Sequence, residues 1–540
     1  ESEYGFRHVL IRDVAYGQIP RAARSQKHRR AAAWIESLGR PEDQAEMLAH
    51  HYLQALELGE AAGLDVSGLA DSARQALREA GDRAAALHAI AAAERFYEAA
   101  LGLFPDDDPE RAQVLYRRAV PGGRHVGGGD PDLLARARDA LLAAGDDARA
   151  AEVEMLLSQS FWIQGRRDVA DDHAARAVAL IDGGVTSRSS VYVLTRAAVR
   201  ASLMGDHARA VELGSKSRAM SEQLGWEEGL SEALQVLGMT RLFVGDRDGL
   251  EDVERSVELA TRAGTLGNLV RAHNTLAVAH AVLGDLKRAQ AARLEGQREA
   301  ERLGSVPLLR WFEAVFTDHR YLNGEWDEAL RRADEFVTAV EAGSPHVLAW
   351  QVFAVRAEIR LARGDAAGAS GDAERALALA REVAESQAVF ITLIVAAHVF
   401  ASVSGSERAT PPARELLDLL ARGIPLGFPV VHLPLFAMAA TRLGLGDELL
   451  RALDLQPESS WTKAAHAYLS GDFAAAAEIL QRIGSKPEEA EARLRAAERL
   501  SADGRRNEAA EHLRQALGFY RSVGAAAMIS ECDALDGASA

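Results

Sequence analysis

The chain has 540 residues, of which 48% are hydrophobic, and its formal net charge at pH 7 is −17. An acidic surface repels phosphates, so direct nucleic-acid binding is not expected. Cys532 is the only cysteine, which excludes an intrachain disulfide. Since neither a signal peptide nor an uninterrupted apolar run of membrane-spanning length is evident, we expect a cytoplasmic protein without a membrane partner.

Residues 1–60 differ in pattern from the rest of the chain. Aromatic or apolar residues at every second position of residues 4–10 predict a short extended piece. A basic helix is expected over residues 21–38, and a further helix begins at Pro41, because proline is favoured in a first helical turn. A strand followed by helices is compatible with the end of a winged-helix module, so we expect a small winged-helix-like segment here.

The first helical hairpins are expected over residues 61–120. The string PGGRHVGGGDP, residues 121–131, follows and holds five glycines and two prolines. This composition is typical of a linker, because both residue types interrupt regular structure.

Residues 132–403 contain an internal repeat. Gly-Asp or Gly-Glu turns recur at intervals of 39 or 40 residues, each between two apolar-periodic segments of helical length. Glycine relieves the turn and the acid is placed to cap the second helix. The five strongest turns are Gly205-Asp206, Gly245-Asp246, Gly284-Asp285, Gly324-Glu325 and Gly364-Asp365.

Small residues recur seven positions before and five positions after the turn glycine, where they allow the two helices of a hairpin to approach closely. This pattern resembles the tetratricopeptide (TPR) repeat, although the unit is longer than 34 residues. The predicted fold is therefore all-α, a TPR-like helical-hairpin solenoid or superhelix. Five prolines in residues 404–434 predict a break in the stack, and residues 435–540 return to helical repeats.

In TPR-like stacks the first helix of each hairpin lines the concave face, which makes that groove the best candidate binding surface. Polar, charged or aromatic residues recur there at fixed distances from the turn glycine. Thirteen or ten residues before it stand Tyr192, Glu232, Gln235, Arg271, Asn274, Trp311 and Gln351. Four residues before it stand Arg241, His280, Arg320 and Arg360. This basic row either captures a carboxylate or phosphate or forms ion pairs with Asp318, Glu358 or acids of the next repeat.

The first sixty residues also resemble a known protein family. The strings FRHVLIRDVAYGQIPRAARSQKHRRAAAWIESL and AEMLAHHYLQALEL are similar to the segment that follows the ATPase domain in large bacterial signalling proteins. In that family a class III adenylate/guanylate cyclase domain is followed by an AAA/STAND-type ATPase and a TPR-like region. The terminal string GRRNEAAEHLRQALGFYRSVGA resembles the same family's C-terminus. The resemblance implies that an ATPase domain precedes this region and is its partner in cis.

The chain lacks the residues for that family's chemistry. No G-x-x-x-x-G-K-[ST] phosphate loop is present, and the nearest string, Gly214-Ser215-Lys216-Ser217, falls inside a predicted repeat helix. No G-x-S-x-G elbow supports a hydrolytic site. We therefore expect a nonenzymatic chain without catalytic residues or a cofactor.

Two further clusters, one of histidines and one of basic residues, lie in the first sixty residues. His50 and His51 are adjacent, with His28 and His8 nearby, but neighbouring side chains on a helix point about 100° apart, so no metal site is predicted. The basic residues of 21–30 are expected to face solvent or the upstream ATPase.

The preferred interpretation is a sensor or protein-interaction region that binds a protein, a peptide or a small ligand in the groove and regulates the upstream ATPase. Two alternatives remain open. One is the TPR sensor part of an ATPase-type (STAND) transcription regulator, and the other is a freestanding TPR scaffold.

Overall fold

The computed structural model describes residues 9–39, 44–87, 89–105, 108–123, 129–163, 166–183, 186–304 and 306–539. The chain forms two compact units, Glu1–Val185 and Thr186–Ala540. Every regular element of the described ranges is helical and none is a strand, which confirms the predicted all-α class and its TPR-like hairpin architecture.

The first unit consists of consecutive helices in which neighbours along the chain pack against each other. They are α1 (Val9–Gly17), α2 (Arg21–Ser37), α3 (Ala45–Glu60), α4 (Ser67–Ala86), α5 (Ile90–Leu101), α6 (Glu110–Gly123), α7 (Pro131–Ala143), α8 (Asp147–Ile163) and α9 (Arg167–Ile181).

The predicted extended piece needs correction where the structure describes it. Residues 4–8 lie outside the described residues, and Leu10 lies in α1. The alternation ends there because Ile11 is apolar and two charged residues follow. The described part of residues 1–60 is helical, without the strand of a winged-helix module.

The glycine-rich linker is shorter than its composition indicated. Helix α6 continues through Gly123, and α7 begins at Pro131, where the Asp130 carboxylate accepts a hydrogen bond from the Asp132 N–H. Residues 124–128 of the predicted linker lie outside the described residues. The remaining predicted domain boundaries stay predictions.

The second unit is a longer series of helical hairpins. Its helices are α10 (Arg188–Leu203), α11 (His207–Leu224), α12 (Glu227–Phe243), α13 (Gly249–Ala263), α14 (Leu266–Val282), α15 (Leu286–Leu303), α16 (Val306–Leu322), α17 (Trp326–Glu341), α18 (Ala349–Arg363), α19 (Ala366–Val383), α20 (Ser386–Val403), α21 (Ser406–Ala421), α22 (Leu433–Arg442), α23 (Gly446–Leu453), α24 (Ser460–Leu469), α25 (Phe473–Ile483), α26 (Lys486–Ala502), α27 (Arg506–Val523) and α28 (Ala526–Ser539). A 3₁₀ helix, Phe428–His432, precedes α22.

The repeating turns have the predicted chemistry. Gly205 has a φ of 82° and Gly364 a φ of 92°, values that favour glycine. The Asp206 carboxylate accepts a hydrogen bond from the Arg209 N–H, and Asp285 and Asp365 cap α15 and α19 in the same way. Each cap satisfies a backbone donor that the first helical turn leaves free.

The small residues beside each turn allow a close helix approach, most clearly between α12 and α13. A Cβ atom added to Gly238 would lie 2.5 Å from the Gly249 carbonyl oxygen and 2.7 Å from a methyl group of Val253. At the same position Ala277 and Ala357 are fully buried. The two helices of a hairpin can therefore pack this closely only where the residue at this position is small.

The predicted proline break is also shorter than expected. Helix α21 runs through Pro411 and Pro412, whose missing N–H groups fall within its first two turns. The irregular segment begins after Ala421 and includes Gly423 and Gly427, both at positive φ. The chain changes direction there because the two glycines, and not the paired prolines, interrupt the helix.

After this break the chain returns to the turn edge of the central repeats. The indole N–H of Trp461 donates to the Ala281 carbonyl at 2.8 Å, and the Lys486 ammonium donates to the Asn323 carbonyl at 2.8 Å. The Arg363 guanidinium donates to the Val523 carbonyl at 3.0 Å. Contacts between residues about 160 to 180 positions apart thus close the second unit on itself.

The central inner helices are consequently buried on every side. All residues of Ala349–Ile359 in α18 are buried, as are residues 390–400 of α20. Within the described ranges, one helix is long and apolar enough to span a bilayer, Ser386–Val403, and 67% of it is buried inside the protein.

We expect Gly238→Ala to destabilise the protein by about 1–3 kcal/mol, because its Cβ atom would collide with the backbone of α13. The matched control is Gly371→Ala, since Gly371 is exposed within α19 and a Cβ atom there meets nothing within 4 Å. This control should stabilise the protein by about 0.5–1 kcal/mol. Denaturant unfolding measures both, and equal effects would contradict the close-approach argument.

Candidate functional site

A cavity of about 430 Å³ opens in the second unit between the central repeats and the C-terminal hairpins. One wall comes from α16, α18 and α20, and the other from α22, α26 and α28. Ionisable groups and apolar side chains share the lining. The ionisable groups are Tyr321, Glu358, His398, Arg442, Glu488, Glu491, Arg495, Tyr520 and Glu531.

Glu488, in the first turn of α26, is the least compensated acid of the cavity. Its carboxylate accepts a hydrogen bond from the Ser485 hydroxyl, and no cation of the described residues pairs with it. Burial, together with the negative charges of Glu358 and Asp318, raises the pKa of Glu488 to about 7, although the bond from Ser485 opposes this rise. The carboxyl group therefore changes its charge near neutral pH.

Glu491, one helical turn further along α26, has the opposite environment. Its carboxylate lies 3.0 Å from the Arg495 guanidinium and 3.3 Å from that of Arg442. Burial alone would raise its pKa, but the two arginines hold the pKa of Glu491 below its ordinary value. Two glutamates on one helix thus differ in charge state because only one has cationic neighbours.

Glu358 and His398 meet on the opposite wall. The His398 Nδ1 atom lies 2.9 Å from the Glu358 carboxylate, and both side chains are buried. Beside them the Tyr321 ring stacks on Trp326 at a centroid distance of 5.6 Å. This wall combines a paired acid with an aromatic surface that can contact a cation or an apolar group.

A smaller cavity lies beneath the first and shares Tyr321 and Glu358 with it. It also borders Asp318 and Gln351. The Asp318 Oδ1 atom is buried without a hydrogen-bond partner, and the His432 Nε2 atom lies 3.8 Å from it. The acidic character of the main cavity therefore extends inward.

The structure places Gln351 beside the inner cavity and distributes the other predicted groove residues along the inner helices. Glu232 forms ion pairs with Arg196 and Arg271. The Gln235 amide donates to the Asn268 side chain at 2.9 Å. These predicted positions are thus joined to one another or to neighbouring repeats.

The basic row divides into two groups. Arg241 pairs with Asp246 at 2.8 Å and Asp252 at 2.6 Å, and Arg360 pairs with Asp372 at 2.9 Å. Both arginines thus form ion pairs, although their partners lie at the turn and on the second helix of the same hairpin and are not Asp318, Glu358 or acids of the next repeat.

The other two members of the row are not neutralised in this way. Burial lowers the pKa of His280, and the pKa of Arg320 is also lowered by burial. One Arg320 nitrogen, Nη1, is buried without a partner, and its guanidinium lies 5.5 Å from the centre of the Phe316 ring. These two side chains are held mainly by packing.

Three predicted residues remain. Tyr192 is buried with the Arg196 guanidinium over its ring, and Trp311 packs edge-on against Phe312. The Asn274 Oδ1 atom is buried without a hydrogen-bond partner. None of these three lines the two cavities described above.

Sequence reasoning missed the charged residues of the main cavity. One signal was present, because Asp318, Glu358 and His398 follow one another at steps of 40 residues, the period of the repeat. An alignment six residues before the turn glycine would have found the first two. Glu488 and Arg495 had no such signal, since they reach the cavity only through the return of the C-terminal hairpins.

The histidine prediction also needs correction. The rings of His50 and His51 on α3 lie close together, with centroids 5.4 Å apart, and His28 on α2 lies opposite both, with ring centroids 5.8 Å and 5.1 Å away. Burial and the two neighbouring imidazoles, with Arg24, lower the pKa of His28 to about 4. The angle between neighbouring helix positions does not predict this cluster, because the third ring comes from the packing of α2 against α3.

We expect Arg360→Met to destabilise the protein by about 1 kcal/mol, because the buried Asp372 would lose one of its two arginine partners. Arg320→Met should be neutral or stabilising, since it removes a desolvated cation and keeps the aliphatic stem. Thermal unfolding of both variants measures this contrast. Equal destabilisation by the two variants would contradict the division of the basic row into these two groups.

Glu488→Gln should change how stability depends on pH. The folded pKa of about 7 exceeds the ordinary value of 4.5, so the unfolded state loses this proton at a lower pH than the folded state does. The free energy of unfolding therefore falls progressively from pH 4.5 to 7. Relative to wild type, the variant should gain up to about 3 kcal/mol by pH 8 and little at pH 4. Denaturant unfolding across this range, with the exposed Glu382→Gln as control, measures the difference. Parallel wild-type and variant profiles would contradict this account.

A scan against models of protein families and a search of curated proteins find no match for this chain. Several solved helical structures are similar to it. A Rap protein complexed with competence and sporulation factor has 12% identity and a TM-score of 0.47, covering 64% of this chain and 97% of that one. The APC/C hetero-tetramer Cut9–Hcn1 has 13% identity and a TM-score of 0.46, with coverages of 84% and 86%.

A Signal Transduction ATPase with Numerous Domains (STAND) protein with a tetratricopeptide repeat sensor, from Pyrococcus horikoshii, is also similar. It has 13% identity and a TM-score of 0.37, covering 62% of this chain and 52% of that protein. At such values these likenesses carry no inference about what this chain binds.

Proposed function

We propose that this chain is the nonenzymatic sensor region of a multidomain signalling protein, and that its second unit binds a ligand in the cavity between α18 and α26. The family resemblance of residues 5–58 and of the C-terminal string supports an ATPase domain as the partner in cis. In this proposal residues 1–60 transmit the bound state to that domain.

The observation that carries the proposal is the charge of the cavity. Four carboxylates line it, those of Glu358, Glu488, Glu491 and Glu531, against two guanidinium groups. Buried charges without partners are costly, so an uncompensated acid in a recess favours a ligand that supplies the missing cation. Glu488 is that acid.

The lining also limits the rest of the ligand. A volume of about 430 Å³ is within the range of small-molecule sites and accommodates a short peptide segment. Apolar surface from Leu361, Met438 and Met528 lies next to the charged groups. The favoured ligand is a basic side chain or an amino terminus of a protein or peptide, with an apolar neighbour in its sequence.

Binding at this position can be coupled to packing, because α18 and α26, one in each wall, lie more than 100 residues apart in the chain. A ligand that contacts α18 and α26 together binds most tightly to the arrangement of the protein in which both helices reach it. It then shifts the protein toward that arrangement by as much as its affinities for the alternatives differ. This is the step by which the sensor would bias the upstream ATPase.

Binding of random N-acetylated tripeptide amides tests the site, with arginine fixed at the central position and citrulline as the neutral control of nearly equal shape. Isothermal titration calorimetry should detect tighter binding of the arginine pool. Its affinity should rise about tenfold from pH 6 to pH 8 as Glu488 ionises. Glu488→Gln should remove both the preference and the pH dependence.

Glu382→Gln is the control variant, since this glutamate is exposed on α19, away from the cavity lining. Equal binding of the arginine and citrulline pools would refute the cationic ligand. In the parent protein, an arginine peptide that binds should also change the ATP hydrolysis rate of wild type but not of Glu488→Gln. An unchanged rate with every bound peptide would refute the coupling.

A further inference from the structure

The first unit brings three imidazoles together at one point of the α2–α3 hairpin. His28 comes from α2, and His50 and His51 come from α3. One ligand nitrogen from each ring lies within 4.8 Å of those of the other two. Among the described residues this is the only group of three or more histidine, cysteine or carboxylate ligands that could hold a metal ion.

Hydrogen bonds orient the central ring. The His28 Nε2 atom lies 2.7 Å from the Tyr16 hydroxyl, and its Nδ1 atom lies 2.8 Å from the Nδ1 atom of His51. If Nε2–H donates to the Tyr16 oxygen, the Nδ1 lone pair of His28 is directed at His51. Outer-shell bonds of this kind fix the tautomer of metal-ligating histidines.

The distance of 2.8 Å between the Nδ1 atoms of His28 and His51 fits a shared proton. It is also close to the distance between two nitrogens that ligate one metal ion. Tetrahedral zinc with Zn–N bonds of about 2.0–2.1 Å holds its ligand nitrogens about 3.3 Å apart. The His28 and His51 nitrogens would therefore move apart by about half an ångström, and the His50 nitrogen, which lies within 4.8 Å of both, would move to the same spacing. His50 is exposed, and the other two rings are partly so, which leaves room for this movement and for a solvent ligand.

We infer that His28, His50 and His51 form a binding site for a divalent transition-metal ion of the zinc class, with water in the fourth position. Neutral imidazole ligands suit zinc, copper and nickel, whereas magnesium and calcium require oxygen ligands. Arg24, whose guanidinium lies over the Tyr16 ring, opposes a dication and limits the affinity. The bound ion would cross-link α2 to α3.

Zinc alone, added to tag-free protein, tests this site independently of the proposed function. Isothermal titration calorimetry should show about one Zn²⁺ per chain, and Co²⁺ should give visible d–d absorption bands. His50→Gln and His28→Gln should each lower the affinity by at least about tenfold. His466→Gln, which alters an exposed histidine of the second unit, should leave it unchanged.

Because His50 is exposed, its variant should retain the wild-type circular dichroism spectrum, so lost binding would report on the site and not on unfolding. Zinc should also raise the melting temperature of wild type but not of His50→Gln. Wild-type affinity in both variants, or no measurable binding by wild type, would overturn the inference.

Discussion

The close approach of the two helices within each hairpin is the constraint on which the second unit depends. Small residues at the crossing, such as Gly238 and Ala357, allow this approach, and the 40-residue period repeats it with the same geometry. After the break that follows α21, the C-terminal hairpins return to the turn edge of the central repeats, where Trp461 and Lys486 bond to their carbonyl groups.

The return of the C-terminal hairpins to the central repeats alters the concave face. In an open solenoid the inner helices would border a groove, but here residues 349–359 of α18 and 390–400 of α20 are buried. A cavity remains, lined by Glu358 from one wall and Glu488 from the other. In the proposed function, recognition is confined to this small volume, where the charge of the ligand matters more than its length.

The charged groups of the two units illustrate one principle, that neighbours decide the charge state of a buried group. Glu488 and Glu491 lie on the same helix, yet only the second faces arginines, and their pKa values move in opposite directions. In the first unit burial, together with the neighbouring imidazoles and Arg24, keeps the His28 ring neutral. The two proposals place a cationic ligand beside Glu488 and a metal ion on neutral imidazoles.

The sequence by itself determined the local architecture. Turn glycines, capping acids such as Asp206 and small crossing residues are short-range signals, and their fixed period predicted an all-α hairpin stack. It also predicted Arg360 in an ion pair as one of two outcomes. Only the tertiary structure decided that α21 continues through its prolines, that His28 meets the α3 histidines, and that Glu488 faces Glu358. These features depend on packing between helices and on contacts between distant segments, which no local pattern of residues encodes.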